Sequence, residues 1–386
     1  MKLTRLFYEF YENAKGGILL ILCTIISLLL ANSSIQAGYQ GFWHYKLAGL
    51  SLEHWVNDGL MAIFFLLIGL ELKRELLVGE LSNTKNALLP VIAAIGGMIV
   101  PAGIYAFLNY GTITQAGAGI PMATDIAFAI GVLSLLGNKV PASLKILLTA
   151  IAVIDDLGAI IVIAVFYTSS LSLFNLLMVG FVFAILLLLN KFKINYLSIY
   201  IIGGLFMWYF MLQSGVHSTL AGILLAFTIP FGKGEKSTLS YRLQDRLDEP
   251  VALFILPLFA LANTAIAFGA GWDTGLGEVG SLGIFAGLVI GKPVGILLFS
   301  LAAVTIGICK LPKGLGWKHI TGIGFLAGIG FTMSIFITML AYDDAFLITE
   351  AKISILFASL ISGIIGFVWL RSALKKPAMK MVVKNT

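Results

Sequence analysis

Leu147-Leu-Thr-Ala-Ile-Ala-Val-Ile-Asp-Asp-Leu-Gly-Ala-Ile-Ile-Val-Ile-Ala-Val-Phe166 sets two aspartates, Asp155 and Asp156, side by side in an apolar run. A run this long and this apolar reads as a membrane-spanning helix. A charge at the centre of such a helix costs about 2.5 to 3.5 kcal/mol on insertion scales. Two adjacent carboxylates would roughly double that cost if both stayed ionised and unpaired. They must share protons, bind a cation or face water, and each outcome makes the pair the candidate working centre.

The rest of the chain fits that reading. Of 386 residues, 59% are hydrophobic and 11% charged, with a mean hydropathy of +1.00, which excludes an ordinary soluble domain. Twelve candidate spans fall near residues 16–32, 55–77, 87–107, 118–136, 144–167, 171–189, 196–212, 217–231, 251–268, 282–306, 320–342 and 353–370. Backbone groups cannot stay unpaired in lipid, so these are helices, and the fold class is an all-α polytopic membrane protein.

Lys and Arg orient the bundle. With the N-terminus cytoplasmic, the inner segments hold Lys2, Arg5 and Lys15; Lys73, Arg74 and Lys85; Lys139 and Lys145; and Lys191 and Lys193. They also hold Lys233, Lys236, Arg242 and Arg246; Lys310, Lys313 and Lys318; and the tail's Arg371, Lys375, Lys376, Lys380 and Lys384. Only Lys46 and Lys352 fall in outer segments, and Lys292 in a span. Both termini are therefore expected in the cytoplasm. The net charge of +6 reports topology rather than nucleic-acid binding. The first apolar run is long for a signal peptide, and its removal would spoil the alternation, so it reads as a retained span. Cys23 and Cys309 form no disulfide framework and read as packing residues. Residues 40–53 read as a small outer hairpin or an irregular interfacial loop.

At membrane depth the remaining ionisable residues are Asp58, Asp125, Asp155, Asp156 and Lys292. A shared polar cavity would satisfy them most simply, although Asp58 can also reach the interface. Helix neighbours point about 100° apart, so Asp155 and Asp156 divide the work. One faces a cation site and the other a partner such as Lys292. The span holding Gly119-Ile-Pro-Met-Ala-Thr-Asp125 is interrupted by Pro121 and by Thr124-Asp125. The eleventh carries Gly328-Ile-Gly-Phe-Thr-Met-Ser-Ile-Phe336. Breaks at matching places in two halves point to a transporter's binding site. Spans three to five and ten to twelve form inverted triplets, each with an interrupted middle span. Asp125 could offset the positive helix ends there, and Lys292 the negative ones. Glu71, Lys73, Arg74 and Glu75 read as a solvated helix end with i,i+3 and i,i+4 pairs, or as an ion funnel or pH-responsive cluster. His217 reads as a local hydrogen-bonding residue or a titrating one.

These features together resemble the NhaA family of bacterial Na+/H+ antiporters. The resemblance rests on Trp55-Val-Asn-Asp58 through Glu71-Leu-Lys-Arg-Glu75, Pro90–Pro101, Ala123-Thr-Asp125 through Gly131 and Ile154-Asp-Asp-Leu-Gly-Ala-Ile160. It extends to Ser214-Gly-Val-His217, Gly291-Lys-Pro293 and Gly328–Phe336, which covers nearly the whole chain in order. The resemblance implies Na+ and Li+ exchange for protons in the bacterial inner membrane. It implies Asp156 as main Na+ ligand, with Asp125 and Thr124 at the crossing of the interrupted helices, and Asp155 paired to Lys292. Asp58, Glu71, Arg74, Glu75 and His217 match positions of pH response or ion access. No cofactor, enzymatic activity or protein partner is implied beyond a homodimer in the lipid bilayer. The chain is expected to be one membrane domain over 1–386. Residues 87–167 and 282–370 would form the inverted-repeat core, and 16–77 and 171–268 the supporting helices. One departure stands out: Arg242-Leu-Gln-Asp-Arg-Leu-Asp-Glu-Pro250 lacks the loop histidines of some relatives. An intramembrane aspartyl protease would need Gly-x-Gly-Asp on a facing helix, which is absent. A channel would need a continuous pore rather than inverted triplets with a titratable centre.

Overall fold

A computed structural model describes residues 2–168, 171–232, 234–235, 237–268 and 274–374. Lys233, Lys236, Lys375, Lys376, Lys380 and Lys384, used above for orientation, lie outside the described residues, as do the side chains of Lys2, Arg5 and Lys85. Each expected span contains helix. Seven helices are long and apolar enough to cross a membrane among the described residues, or nine when each sharply bent pair counts as one span. Leu197–Leu212 and Leu220–Thr228 are helical but shorter. The protein is an all-α, multi-pass membrane protein.

The segment between the first two spans holds the hairpin, the first of the two alternatives, and a helix that the sequence reading did not include. Helix Gln36–His44 turns 116° away from the first span. Strands Lys46–Leu47 and Leu50–Ser51 then form an antiparallel hairpin. Ala48 and Gly49 both have positive φ there (52° and 87°), which suits a tight two-residue turn.

The interrupted spans are broken where the sequence places Pro and Gly. One runs as a 3-10 turn over Gln115–Met122, continues extended through Ala123 to Asp125, and resumes as helix Ile126–Ser134. The other runs Trp317–Ala327, breaks at Gly328 to Gly330, and resumes over Phe331–Ala341, bent by 48°. The two breaks touch: the Asp125 amide donates to the Ile329 carbonyl at 2.7 Å. Around this crossing, Thr84–Leu108 packs along Lys292–Thr305. A Cβ on Gly295 would collide with the Gly96 backbone, so only hydrogen atoms fit between these two helices.

Among the described residues three helices contain a π-helical stretch: Trp55–Leu60, Val251–Ile255 and Gly287–Gly291. The second lies between Pro250 and Pro257, and the third runs directly into Lys292-Pro293. A proline cannot supply the regular backbone donor, and the wider turn absorbs the mismatch.

Two lysines depart from the sequence reading. Lys73 is not a solvated pairing residue: it is 8% exposed, and its Nζ donates to the carbonyls of Ala226, Phe227 and Ile229 at 3.3, 2.9 and 2.6 Å. It thereby caps the C-terminus of the short Leu220–Thr228 helix, where a cation is favoured. Lys352 is not in an outer loop. Asp344 caps the last helix by accepting from the amides of Phe346 and Leu347. The helix consequently starts at Ala345, ahead of the apolar run, and takes Lys352 inside it.

Candidate ion-binding site

Ala142–Phe166 carries Asp155 and Asp156 near its middle, both essentially inaccessible to solvent. Their side chains diverge as the helical geometry requires. Asp155 Oδ2 accepts from Lys292 Nζ and from the Thr124 hydroxyl at 2.7 Å. Lys292 Nζ also donates to the Met122 carbonyl, the last residue of the 3-10 turn. A cation therefore sits at that turn's negative end. The Thr124 hydroxyl also lies 2.9 Å from the Ala327 carbonyl, at the C-terminal end of the other broken helix.

Asp125 performs the opposite task. Its Oδ1 accepts from the Phe128 amide at 2.9 Å, capping Ile126–Ser134. Its Oδ2 accepts from the amide and hydroxyl of Thr332 at 3.1 and 2.5 Å. One carboxylate thus serves the N-termini of two helices that point at each other. The crossing satisfies all four helix ends with Asp125, Thr124 and Lys292.

Asp156 is left for other work. Its Oδ1 is buried without a hydrogen-bond partner, as is Asp155 Oδ1. Asp156 lines a cavity of about 140 Å³ together with Thr124, Asp125, Thr332, Glu71 and Asp248. The cavity leads from buried Asp156 past partly exposed Glu71 to exposed Asp248. Hard oxygen atoms are what an alkali cation takes as ligands, and this lining supplies them from carboxylates and hydroxyls.

Five expected residues therefore meet at one place: Asp125, Asp155, Asp156, Thr124 and Lys292. Of the weaker set, only Glu71 joins them, through the cavity. Arg74 pairs with its neighbour Glu75 at 3.3 Å, and Glu75 also accepts from the Glu80 amide at 3.1 Å. Asp58 and His217 are elsewhere. Asp58 pairs with His54 Nε2 at 2.8 Å and accepts from the Ser218 hydroxyl at 3.0 Å. It stands thirteen positions before Glu71 on the same helix, roughly 20 Å along the axis. The His217 ring lies 2.8 Å from the Tyr167 carbonyl.

Asp248 was not singled out from the sequence, nor was the Thr332 staple. Asp248 sits on helix Leu239–Pro250, far from the aspartates in sequence. Burial pushes its carboxyl up from the usual range, the Arg74 guanidinium opposing and Asp245 reinforcing the shift.

Comparison with known proteins bears on the chain as a whole. A family model described as Na+/H+ antiporter 1 matches residues 9–370. The chain is 62% identical to the protein named Na(+)/H(+) antiporter NhaA 1 of Flavobacterium johnsoniae, covering 96% of this chain and 98% of that one. It is 61% identical to the Na(+)/H(+) antiporter NhaA of Flavobacterium psychrophilum, covering 100% and 98%. Against the NhaA of Cytophaga hutchinsonii it is 57% identical, with 98% of each chain covered. A match over nearly the full length, on a helical frame whose broken spans cross at buried aspartates, places this chain in the Na+/H+ antiporter 1 family.

Proposed function

We propose that the protein exchanges cytoplasmic Na+, and Li+, for external protons by alternating access in the bacterial inner membrane. The observation that carries this reading is the cavity joining buried Asp156 and Asp125 to the exposed Asp248. The names of the relatives supply the two ions. Asp156 is the principal ligand, because it lines the cavity and its carboxylate, unlike that of Asp155, is not held by Lys292 and Thr124. Asp125 and Thr124 line the same space but are engaged with helix ends, and they act as secondary ligands. Glu71, Arg74 and Glu75 shape the access route, while Asp58 and His217 act at the opposite end of the bundle.

A carboxylate that has released its proton offers its oxygens to Na+, and one that holds a proton does not. Competition at Asp156 then couples the flows, provided that the site faces one side at a time. The Asp155–Lys292 pair gives a second group that takes up or releases a proton as Asp156 changes load. Two proton sites against one Na+ make the exchange electrogenic, worth about 2.3 kcal/mol per net charge per 100 mV. Residues 87–167 and 282–370 form the moving core, 16–77 and 171–268 the support, within twelve spans and a homodimer. Both termini are cytoplasmic, so the cavity faces the cytoplasm at the basic end of Leu52–Leu77.

The test is proton-driven Na+ flux in proteoliposomes with Na+ varied widely at each pH. The half-saturating Na+ concentration should fall as pH rises from about 6 to 9, then level off once the site carboxylates are deprotonated. A half-saturation independent of pH would require separate proton and cation sites. Absence of Na+-dependent proton flux would end the reading altogether.

Asp248 adds a smaller effect with a definite sign. Its raised carboxyl is neutral at pH values where an ordinary aspartate is charged, so its attraction for Na+ sets in only as pH rises through the shifted value. Asp248→Asn should raise half-saturation from the cytoplasmic side by about two- to threefold at alkaline pH, where the carboxyl is ionised. An unchanged half-saturation at alkaline pH would deny Asp248 this role.

A further inference from the structure

Lys352 is the least satisfied buried cation among the described residues. Lys73 holds three carbonyls, and Lys292 holds a carboxylate and a carbonyl. Lys352, 8% exposed, makes one hydrogen bond, to Asn263 Oδ1 at 3.3 Å, with Glu53 acting on it through space. Asn263 Nδ2 in turn donates to Asn57 Oδ1 at 2.7 Å and to the Phe259 carbonyl at 3.0 Å. Asn57 Nδ2 lies 3.4 Å from Met339 Sδ. Four helices meet at this cluster.

Its position relative to the ion site follows from two of those helices. On Phe331–Ala341, Thr332 touches Asp125, Phe336 lies about one turn further on and Met339 about two, roughly 10 Å away. On Leu52–Leu77, Glu71 is on the cavity side, Phe65 comes next and Asn57 lies beyond it. Phe65 and Phe336, both buried, meet with ring centroids 5.3 Å apart. Moving away from the cavity, the route passes the ion site, this aromatic contact and then the Asn57–Asn263–Lys352 cluster. Asn57 stands on a π-helical turn, a geometry frequent at moving parts.

We propose that Lys352, held by Asn263, which is bonded in turn to Asn57, is the outer gate on the Na+ route. The reading rests on the antiport proposed above. With the cavity open to the cytoplasm, the ammonium places a positive charge across the outer exit and repels cations there. For the site to open outward, the helix carrying Lys352 must part from Asn57 and Asn263, which belong to the supporting segments. The long single hydrogen bond suits a contact that is broken each cycle. Lys352 is a gating residue and touches no transported ion.

Half-saturating Na+ is measured separately from each face in proteoliposomes of uniform orientation. Lys352→Met keeps the length and removes the charge. It should lower outer-face half-saturation by about three- to tenfold and leave the cytoplasmic value unchanged, and Lys352→Arg should restore the asymmetry. A packing defect would move both faces together, and equal change or no change would overturn the proposal. Should the Met variant fail to insert, Asn263→Asp supplies an independent arm. A carboxylate against Lys352 should strengthen the closed gate and slow turnover by about fivefold or more, with cytoplasmic half-saturation retained. Unchanged turnover in Asn263→Asp would also overturn the proposal. If wild type itself shows no Na+/H+ exchange, the antiport reading fails, and the gate falls with it. If wild type exchanges and the variants do not differ from it, the gate alone fails.

Discussion

Asp156→Asn is expected to abolish Na+-dependent proton flux, a loss of at least about a hundredfold, with Na+ binding lost alongside it. The amide keeps the shape of the side chain but carries neither the negative charge nor the exchangeable proton. Neither of the other two buried aspartates is as free to take its place. Asp155 is bound to Lys292 and Thr124, and both oxygens of Asp125 are engaged with helix N-termini. Folding should survive, because Asp156 Oδ1 holds no structural hydrogen bond. Flux and calorimetric Na+ titration on correctly inserted protein are the measurements. Near-normal flux in Asp156→Asn would refute the assignment.

The second large effect should come from Lys292→Ala, and it should appear in stability first. Lys292 is wholly buried, and its ammonium serves both Asp155 and the Met122 carbonyl. Truncation leaves a buried carboxylate with the Thr124 hydroxyl alone and removes the charge from the end of the 3-10 turn. Breaking such a pair from one side costs about 3 to 5 kcal/mol. Thermal unfolding in detergent should shift clearly downward. The pH profile of any remaining exchange should move as well, because an unpaired Asp155 binds a proton more readily. A variant with unchanged melting and an unchanged profile would show that the pair matters for neither.

The fold class was legible because apolar length and the Lys and Arg pattern are local properties. So was the core of the site: few ionisable residues occur at membrane depth, which forces Asp125, Asp155, Asp156 and Lys292 toward one another. The breaks at Pro121 and Gly328 to Gly330 also announce themselves by composition. What escaped depends on contacts between distant parts of the chain. Asp248 looks like one more charge on an amphipathic helix until that helix is laid against Leu52–Leu77. Lys73 reads as a surface pairing residue because its three carbonyl partners lie about 150 positions away. Lys352 was misplaced because hydropathy marks where a helix becomes apolar, while its start was set by the Asp344 cap. Length alone marks fewer crossings than the apolar pattern for a related reason: helices such as Leu220–Thr228 are shorter than a span needs by itself.

The π-helical stretch at Gly287–Gly291 carries a consequence for how such a chain can drift over generations. It works as one surplus residue stored inside an unbroken helix, immediately upstream of Lys292. Loss of a single codon there would restore a regular spiral and shorten it by only about 1.5 Å, which a bilayer tolerates. The wide turn takes up that residue locally, so its loss would leave the two halves of the helix in nearly the same phase, whereas a further inserted residue would turn the half carrying Lys292 by about 100° and aim the ammonium away from Asp155. A Cβ on Gly287 would meet Pro121 at 2.6 Å and one on Gly291 would meet the Pro101 backbone at 2.8 Å, so this stretch should tolerate loss of one residue better than gain of one or enlargement of either glycine. At this point what descent must preserve is spacing ahead of Lys292 and empty space beside Pro101 and Pro121.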